Sequence, residues 1–367
     1  MVNSELRAAI AISALKKMTY KVASSLIDIY GSAEAILAQE NLILKDEENE
    51  REISVFTKDA RMEALTYADS EIEFIEREGI KPIFFTENDY PSRLRECDDA
   101  PIMLYYRGSA DLNSRHMLSI VGTRHATPYG RSFCEKLVSD LATMFPDLII
   151  NSGLAYGIDV CAHRAALANG LKTVAVLGHS LNTIYPATHR NTAAQIIENG
   201  ALITEYTSQT PTLKVNFVAR NRIIAGMSDA TVVVESKEEG GSLITADLAS
   251  GYYREVFALP GDIQNETSIG CNNLIKANKA SLITSATDIA DSLGWKYSSP
   301  KKRLTLFPEL DETEQKIIDM LNEKRECQVN TITEETGIAT SLVISSLMGL
   351  EFKGLVRSFP GNRYRKA

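Results

Sequence analysis

Short apolar runs alternate with amphipathic stretches along residues 117–293. Each run is typical of a buried strand: LSIVG (118–122), LIINS (148–152), TVAVLG (173–178), ALITEY (201–206), TVVVES (231–236), EVFALP (255–260) and SLITS (281–285). Between the first two runs, Phe133, Leu137 and Leu141 recur every four residues and predict one apolar helix face. Thr127 is the expected N-cap of this helix. Strands that alternate with helices indicate an α/β fold with a doubly wound, mostly parallel sheet.

The two ends of the chain follow a different, mainly helical pattern. Near the N-terminus apolar residues recur at three- and four-residue spacing, and Gly31 followed by Ser32 fits a helix C-cap and a new helix start. The C-terminal part has the order helix, short helix, helix and hairpin, which is typical of a winged helix. The predicted organisation is a small helical domain (1–75), a connector (76–116), an α/β domain (117–297), a linker (298–309) and a winged-helix domain (310–367).

The composition narrows the class of protein. Apolar residues make up 44% of the 367 residues and charged residues 24%, which is typical of a globular chain. No apolar run reaches the roughly 18 residues that a membrane span needs, so we expect no membrane partner and a cytoplasmic location. The five scattered cysteines lack CxxC spacing, which disfavours a disulfide framework or a zinc site. The net charge of −9 means that nucleic-acid binding would depend on local basic patches.

The sequence contains no familiar catalytic or cofactor motif. Walker A, GxGxxG, GxSxG and HExxH patterns are all missing, so we predict no cofactor, no metal and no catalytic residue. His163 lies one helical turn after Asp159. A local ion pair or cap is favoured for these two residues over a catalytic dyad.

Glycine and hydroxyl residues follow several of the predicted strands. In an open parallel sheet, ligands bind outside the carboxyl ends of the strands, which is where these turns are expected to lie. Glycine lets the backbone approach a ligand closely, and backbone N–H groups at helix starts suit anions. Several such turns at one edge favour an extended anionic ligand. The candidate residues are Gly122, Thr123, Arg124, Ser152, Gly153, Gly241 and Ser242.

One stretch, residues 214–226, combines cations with an aromatic ring. An aromatic ring flanked by cations suits a single nucleic-acid strand, because cations meet phosphates while the ring stacks on a base. The alternative is that Phe217 belongs to the core and that the arginines pair with carboxylates such as Glu205 and Glu235. The candidate residues are Lys214, Asn216, Phe217, Arg220, Asn221 and Arg222.

In the order and identity of these motifs, the chain resembles the DNA-processing protein A (DprA/Smf) family. The resemblance rests on IVGTR, SGLAYGID, NFVARNRIIAGMS, GSLITA, REVFALPG and GCNNLI in the same order. It implies an extended Rossmann-like core and a cytoplasmic, non-enzymatic homodimer that binds single-stranded DNA. It further implies that the protein helps to load the RecA recombinase during natural transformation and recombination.

The resemblance also carries roles onto single residues. It makes Gly122, Thr123 and Arg124 a first phosphate-binding turn, Ser152 and Gly153 a second, and residues 214–222 the lining of a DNA groove. Two places depart from the family pattern: residues 16–20 replace a glycine-rich hairpin, and Gly240 replaces a serine. The alternative function is a nucleotide-cleaving hydrolase of the lysine-decarboxylase-like group. Its Pro-Gly-Gly-x-Gly-Thr turn is only partly matched by residues 239–245.

Overall fold

The computed structural model describes residues 4–46, 51–297, 310–324 and 326–366, without the side chains of residues 44–46 and 51–53. The chain forms two compact units, Met1–Tyr297 and Ser298–Ala367. The predicted linker, residues 298–309, lies outside the described residues.

Helices dominate the first part of the larger unit, and polar residues cap them. The hydroxyls of Thr19, Ser32 and Thr57 each accept a hydrogen bond from a backbone N–H in the following first turn. Gly31, at φ +84°, ends one helix in the left-handed conformation, as the sequence predicted. A β-hairpin, which the helical prediction for residues 1–75 did not include, interrupts the series. The elements are α1 (Ser4–Ala14), α2 (Tyr20–Tyr30), α3 (Ala33–Leu37), β1 (Leu42–Asp46), β2 (Arg51–Phe56) and α4 (Lys58–Glu78).

The rest of the larger unit is built from alternating strands and helices. Its strands are β3 (Lys81–Phe84), β4 (Met103–Gly108), β5 (Met117–Val121), β6 (Ile149–Ser152), β7 (Lys172–Val176), β8 (Gly200–Thr204), β9 (Ala230–Val233), β10 (Glu255–Ala258) and β11 (Ser281–Leu282). Its helices are α5 (Ser92–Arg95), α6 (Pro128–Met144), α7 (Ile158–Ala168), α8 (Arg190–Asn199), α9 (Lys214–Ala219), α10 (Asn221–Met227), α11 (Gly241–Gly251), α12 (Ile269–Lys276) and α13 (Ala286–Ser292), with a 3-10 turn at Ala187–His189.

Within the described residues these strands form one nine-stranded sheet in the order β11-β10-β9-β5-β6-β7-β8-β4-β3. Neighbours from β11 to β8 are parallel, which confirms the predicted mostly parallel sheet. The strands β4 and β3 are added antiparallel at the β8 side. The segment that the sequence presented as a connector, residues 76–116, therefore supplies two strands of the sheet. The strand β4 pairs with β8, in which Thr204 is opposite Tyr105. Because this partner lies far along the chain, the local sequence pattern cannot predict the pairing.

Side chains alternate between the two faces of the sheet and join two layers of helices. On β5, Leu118 and Ile120 pack in a core with α6, α7 and α13, whereas Met117 and Val121 face the N-terminal helices, α10 and α11. The chain runs from β5 through β6, β7 and β8 on one side and then places β9 on the other side of β5. The strands β5 and β9 thus mark the switch point at which a crevice opens at the carboxyl edge. None of the described helices is both long and apolar enough to cross a membrane.

The smaller unit is a winged-helix domain with its own core. Its elements are α14 (Glu312–Lys324), β12 (Cys327–Gln328), α15 (Val329–Thr336), α16 (Thr340–Phe352), β13 (Val356–Phe359) and β14 (Arg363–Lys366). Ile317, Ile332 and Leu347 are fully buried and bring the three helices together. The three strands form an antiparallel sheet in the order β12-β14-β13, as the predicted hairpin ending requires.

Candidate nucleic-acid interface

The loops that follow β5 and β9 meet at the switch point and fix each other. The Thr123 N–H donates to the carbonyl of Glu235 at 2.7 Å, and the Thr123 carbonyl accepts from the Ile158 N–H at 3.2 Å. A Cβ on Gly122 would lie 2.6 Å from the Ile158 side chain, so this turn requires glycine. The backbone of Gly122 and Thr123 is thus held tightly, and Arg124, which follows Thr123, is exposed.

The buried carboxylate of Glu235 lies under this turn and supports α6. It accepts hydrogen bonds from the Thr127 N–H at 2.8 Å, the Thr127 hydroxyl at 2.5 Å and the Thr267 hydroxyl at 3.3 Å. The Thr127 hydroxyl also accepts from the Gly130 N–H at 3.2 Å, which confirms Thr127 as the N-cap. Glu235 therefore acts as a structural acceptor and does not pair with any of the three candidate cations of residues 214–222.

Two of the candidate cations, Arg124 and Lys214, are exposed. Neither has a hydrogen-bond or ion-pair partner within the part of the chain that the structure describes. Lys214 is the first residue of α9, and its neighbours Val215 and Val218 are 64% and 47% exposed. Burial raises the pKa of the Asp159 carboxylate and the charge of Arg124 opposes this rise, but no hydrogen bond or ion pair from the described residues ties down the Arg124 guanidinium. Both cations therefore remain available to an anionic ligand.

Arg220 has a different environment, because its guanidinium is buried under the carboxyl ends of β6 and β7. It donates to the carbonyl of Gly153 at 2.7 Å and to the carbonyl of Val176. Burial lowers the pKa of Arg220 to about 10, and the carboxylate of Asp159 opposes this effect. Ser152 is also fully buried, and its hydroxyl donates to the Ile120 carbonyl at 2.6 Å. The side chains of Arg220 and Ser152 therefore support the edge from inside.

Arg222 faces a cleft between the N-terminal helices and the sheet. It forms an ion pair with Glu205, which is the structural alternative that the sequence left open for the arginines. Asn216 is buried and donates to the Pro211 carbonyl at 3.0 Å, whereas Asn221 donates to the Gly241 carbonyl at 3.4 Å. These side chains join neighbouring loops.

The start of α11 forms the next turn along the edge. Gly241 is exposed, and a Cβ added to it would meet open space. Ser242 is buried and donates to the Ser236 hydroxyl at 2.9 Å. A Cβ on Gly240 would lie 2.1 Å from the Ser236 hydroxyl oxygen. Ser236 thus supplies a hydroxyl in the space that a serine at position 240 would occupy.

Two exposed tyrosines, Tyr156 and Tyr185, were not among the residues predicted from the sequence, and Tyr185 packs on Phe217. Phe217 is half-buried and packs against Gly178, where a Cβ would lie 2.8 Å from the ring. The ring centroid of Tyr185 is 5.4 Å away, and this tyrosine is 57% exposed. Tyr156 is 45% exposed. Tyr156 lies in SGLAYGID and Tyr185 lies in the segment after TVAVLG, so their position after predicted strands was the signal that could have found them.

A series of contacts and short sequence separations links these groups from Arg124 to Lys214. Gly157, at φ +76°, packs on the Thr123 carbonyl and the Arg124 backbone, because a Cβ there would lie 2.1 Å and 2.7 Å from them. The hydroxyl of Tyr156, the preceding residue, accepts from the Thr188 hydroxyl at 3.4 Å. Thr188 is three residues from Tyr185, which packs on Phe217, and Phe217 is one turn from Lys214. We define the groove face as Arg124, Tyr156, Tyr185, Lys214 and Phe217.

Of the expected ion pair or cap, Asp159 and His163 do not form the ion pair; the Asp159 carboxylate instead accepts backbone hydrogen bonds from Gly153 and Ala155 in the loop before α7. The Thr173 hydroxyl donates to the Ile150 carbonyl at 2.6 Å, so it accepts from Nδ1–H of His163 at 2.7 Å. Nε2 of His163 is then an unprotonated nitrogen without a partner among the described residues. Burial lowers the pKa of His163 to about 3, and it raises the pKa of Asp159, which the Arg220 charge opposes. Neutral His163 is a core residue, and the same described part of the chain contains no cluster of metal-ligating side chains.

Comparison with known families accounts for most of the chain. Residues 81–294 match the family model described as DNA recombination-mediator protein A, and residues 303–362 match the DprA winged helix domain. The chain belongs to the DNA recombination-mediator protein A family. The DNA processing protein DprA of Streptococcus pneumoniae is 42% identical over 54% of this chain and 70% of its own length. Protein Smf of Escherichia coli is 37% identical over 75% of each chain.

Solved structures of DprA proteins agree with this assignment. The X-ray structure of DprA from Streptococcus pneumoniae has 31% sequence identity and a TM-score of 0.64, and the match covers 81% of this chain and 99% of that one. DNA processing protein A from Helicobacter pylori has 29% identity and a TM-score of 0.54 over 60% of this chain and 97% of that one. The work on the Helicobacter protein concerns its single-stranded DNA binding mode.

Proposed function

We propose that this protein binds single-stranded DNA along the groove face. The observation that carries the proposal is the groove face, in which three aromatic rings lie between the two exposed cations Arg124 and Lys214. Cations can neutralise phosphates, while rings stack on bases that only a single strand exposes. The Helicobacter relative, for which a single-stranded DNA binding mode is described, supports this assignment.

The same proposal covers the wider role that the family resemblance implies. The protein does not catalyse a reaction. It is a cytoplasmic homodimer that protects incoming single strands and helps to load the RecA recombinase on them. The exposed groove face suits a reversible carrier, because its cations and rings lie at the surface rather than in a closed pocket. The alternative, a nucleotide-cleaving hydrolase, would need a free carboxylate near the 239–245 turn. The carboxylate of Glu235 is occupied by hydrogen bonds from Thr127, but Glu238 and Glu239 are exposed at this turn, so a direct assay of base release is needed to test this alternative.

A competition experiment tests the proposal directly. The full-length protein is titrated with a labelled single strand, and unlabelled single-stranded or duplex DNA of the same length is added as competitor. We expect the single strand to compete much better, with little dependence on sequence. Equal competition by both forms contradicts the proposal. Release of free base from nucleoside monophosphates would support the hydrolase instead.

A further inference from the structure

The loop between β8 and α9, residues 205–213, is fastened to helix α4 of the N-terminal region. The Ser208 N–H donates to both carboxylate oxygens of Glu71 at 3.0 Å, and the Ser208 hydroxyl donates to Oε2 of Glu71 at 2.5 Å. Glu71 is only 1% exposed. The Tyr67 hydroxyl bonds to the Thr207 hydroxyl one helical turn earlier on α4. We call these contacts from Glu71 and Tyr67 the α4 clamp.

The clamped loop leads directly into α9, which carries two residues of the groove face. This helix spans only Lys214–Ala219, and a helix of six residues is not stable by itself, so its position depends on its contacts. The loop provides them: the Tyr206 hydroxyl donates to the Asn216 carbonyl at 3.3 Å, and the Asn216 side chain donates back to Pro211 at 3.0 Å. Contacts that fix the conformation of the loop therefore also fix the position of α9.

A carboxylate is a costly group to bury unless it is well bonded, and here all its hydrogen bonds go to a single loop residue. Glu71 accepts both available donors of Ser208, its N–H and its hydroxyl. In Glu71→Gln a single amide oxygen remains to accept from Ser208, and the amide NH2 replaces the second acceptor, so the Ser208 N–H and hydroxyl can no longer each donate to a separate oxygen. The Ser70 hydroxyl of α4 also accepts a hydrogen bond from the Gln209 side chain at 2.8 Å, whereas Glu73 is exposed and has no hydrogen bond to the loop.

We propose that Glu71 is a positioning residue for DNA binding: through Ser208 it holds the 205–213 loop so that α9 presents Lys214 and Phe217 to the strand. The inference deepens the proposed function and rests on it. It gives the N-terminal helical region a definite task, which is to keep α9 ordered before DNA arrives. A preorganised surface loses less entropy on binding, which is the physical gain from such a clamp.

The test compares Glu71→Gln with the matched control Glu73→Gln in the full chain. Both remove one negative charge from the same helix, but only the first affects the clamp. If the competent form of α9 falls to about one fifth, the apparent Kd for a single strand rises about fivefold. The salt dependence of binding stays unchanged, because the same cations still meet phosphates in the complex. Amide hydrogen exchange in the free protein becomes faster across residues 206–219 and not in α6.

A double-mutant cycle separates positioning from general destabilisation. In a Phe217→Ala background the additional loss caused by Glu71→Gln should be smaller than in the wild type, because one of the two side chains that it positions is missing. Equal losses in both backgrounds, an unchanged Kd, or the same loss in Glu73→Gln overturn the proposal. Duplex competition tests the proposed function separately, and unchanged exchange in free Glu71→Gln protein overturns the clamp whatever that competition shows.

Discussion

Exposed cations without a hydrogen-bond or ion-pair partner allow the most direct tests of DNA binding. Each phosphate contact releases condensed counterions, so losing one should flatten the log–log salt dependence of single-strand binding by roughly 0.7. We expect this change for Arg124→Ala and for Lys214→Ala, measured by titration over a range of salt concentrations. Lys136→Ala is the control, since Lys136 is an exposed lysine of α6 that pairs with Asp140. A wild-type slope in both test variants would place the DNA elsewhere.

Arg220 should behave differently, although it lies in the same sequence motif as Lys214. Replacing it with alanine leaves the carbonyls of Gly153 and Val176 without their donor and removes a positive charge beside Asp159. Unsatisfied buried groups of this kind lead us to expect a loss of about 3 kcal/mol in the free energy of unfolding. Chemical denaturation should show this loss for Arg220→Ala and a change near zero for Lys214→Ala. Similar stability for both variants would contradict the buried role.

His163 predicts a dependence of stability on pH. Its pKa is lowered from 6.5 to about 3 in the folded protein, so below pH 6.5 the unfolded chain binds a proton that the folded chain does not. Stability therefore falls as the pH drops from about 6.5 towards 3. Between pH 7 and 5.5 the wild type should lose about 1 kcal/mol more than His163→Gln. Parallel losses in denaturation curves of the two proteins would exclude His163 as the cause.

At the scale of elements, the ring of Tyr185, in the loop after β7, packs on the ring of Phe217 in α9. Removing Phe217 should cost roughly 1–3 kcal/mol of single-strand binding free energy with little change in salt slope, because a stacked base carries no counterions. Tyr253→Ala is the control, since Tyr253 is 98% exposed beyond the C-terminal end of α11. Affinity that survives Phe217→Ala, in a protein with unchanged stability, would assign the ring to packing alone.

The strands and the α6 cap were predictable because their signals are local. Apolar runs, the Thr127 cap and Gly31 each depend on residues within a few positions. The assignment of β3 and β4 was not predictable in this way, because β4 pairs with a strand about a hundred residues away. The directions of the Arg220 and Arg222 side chains could not be predicted from the sequence either. They lie two residues apart in the sequence, yet one contacts the ends of β6 and β7 and the other faces Glu205.

At the scale of the molecule, the two units have separate hydrophobic cores. All residues of the groove face belong to the larger unit. Deleting residues 298–367 should therefore leave a folded protein with nearly unchanged single-strand affinity. Circular dichroism checks the fold and titration checks binding. A truncated protein that keeps its secondary structure and loses all binding would assign the essential contact to the winged-helix domain.

The two outermost strands of the sheet also affect how copies of the protein behave when they are crowded together. An exposed sheet edge offers free N–H and C=O groups on which another chain can add a strand. Here β11 has only two residues, and Pro82 in β3 has no N–H to donate. Each edge is a poor template for a further strand. Copies of the protein at high concentration are therefore not expected to join edge to edge into fibres.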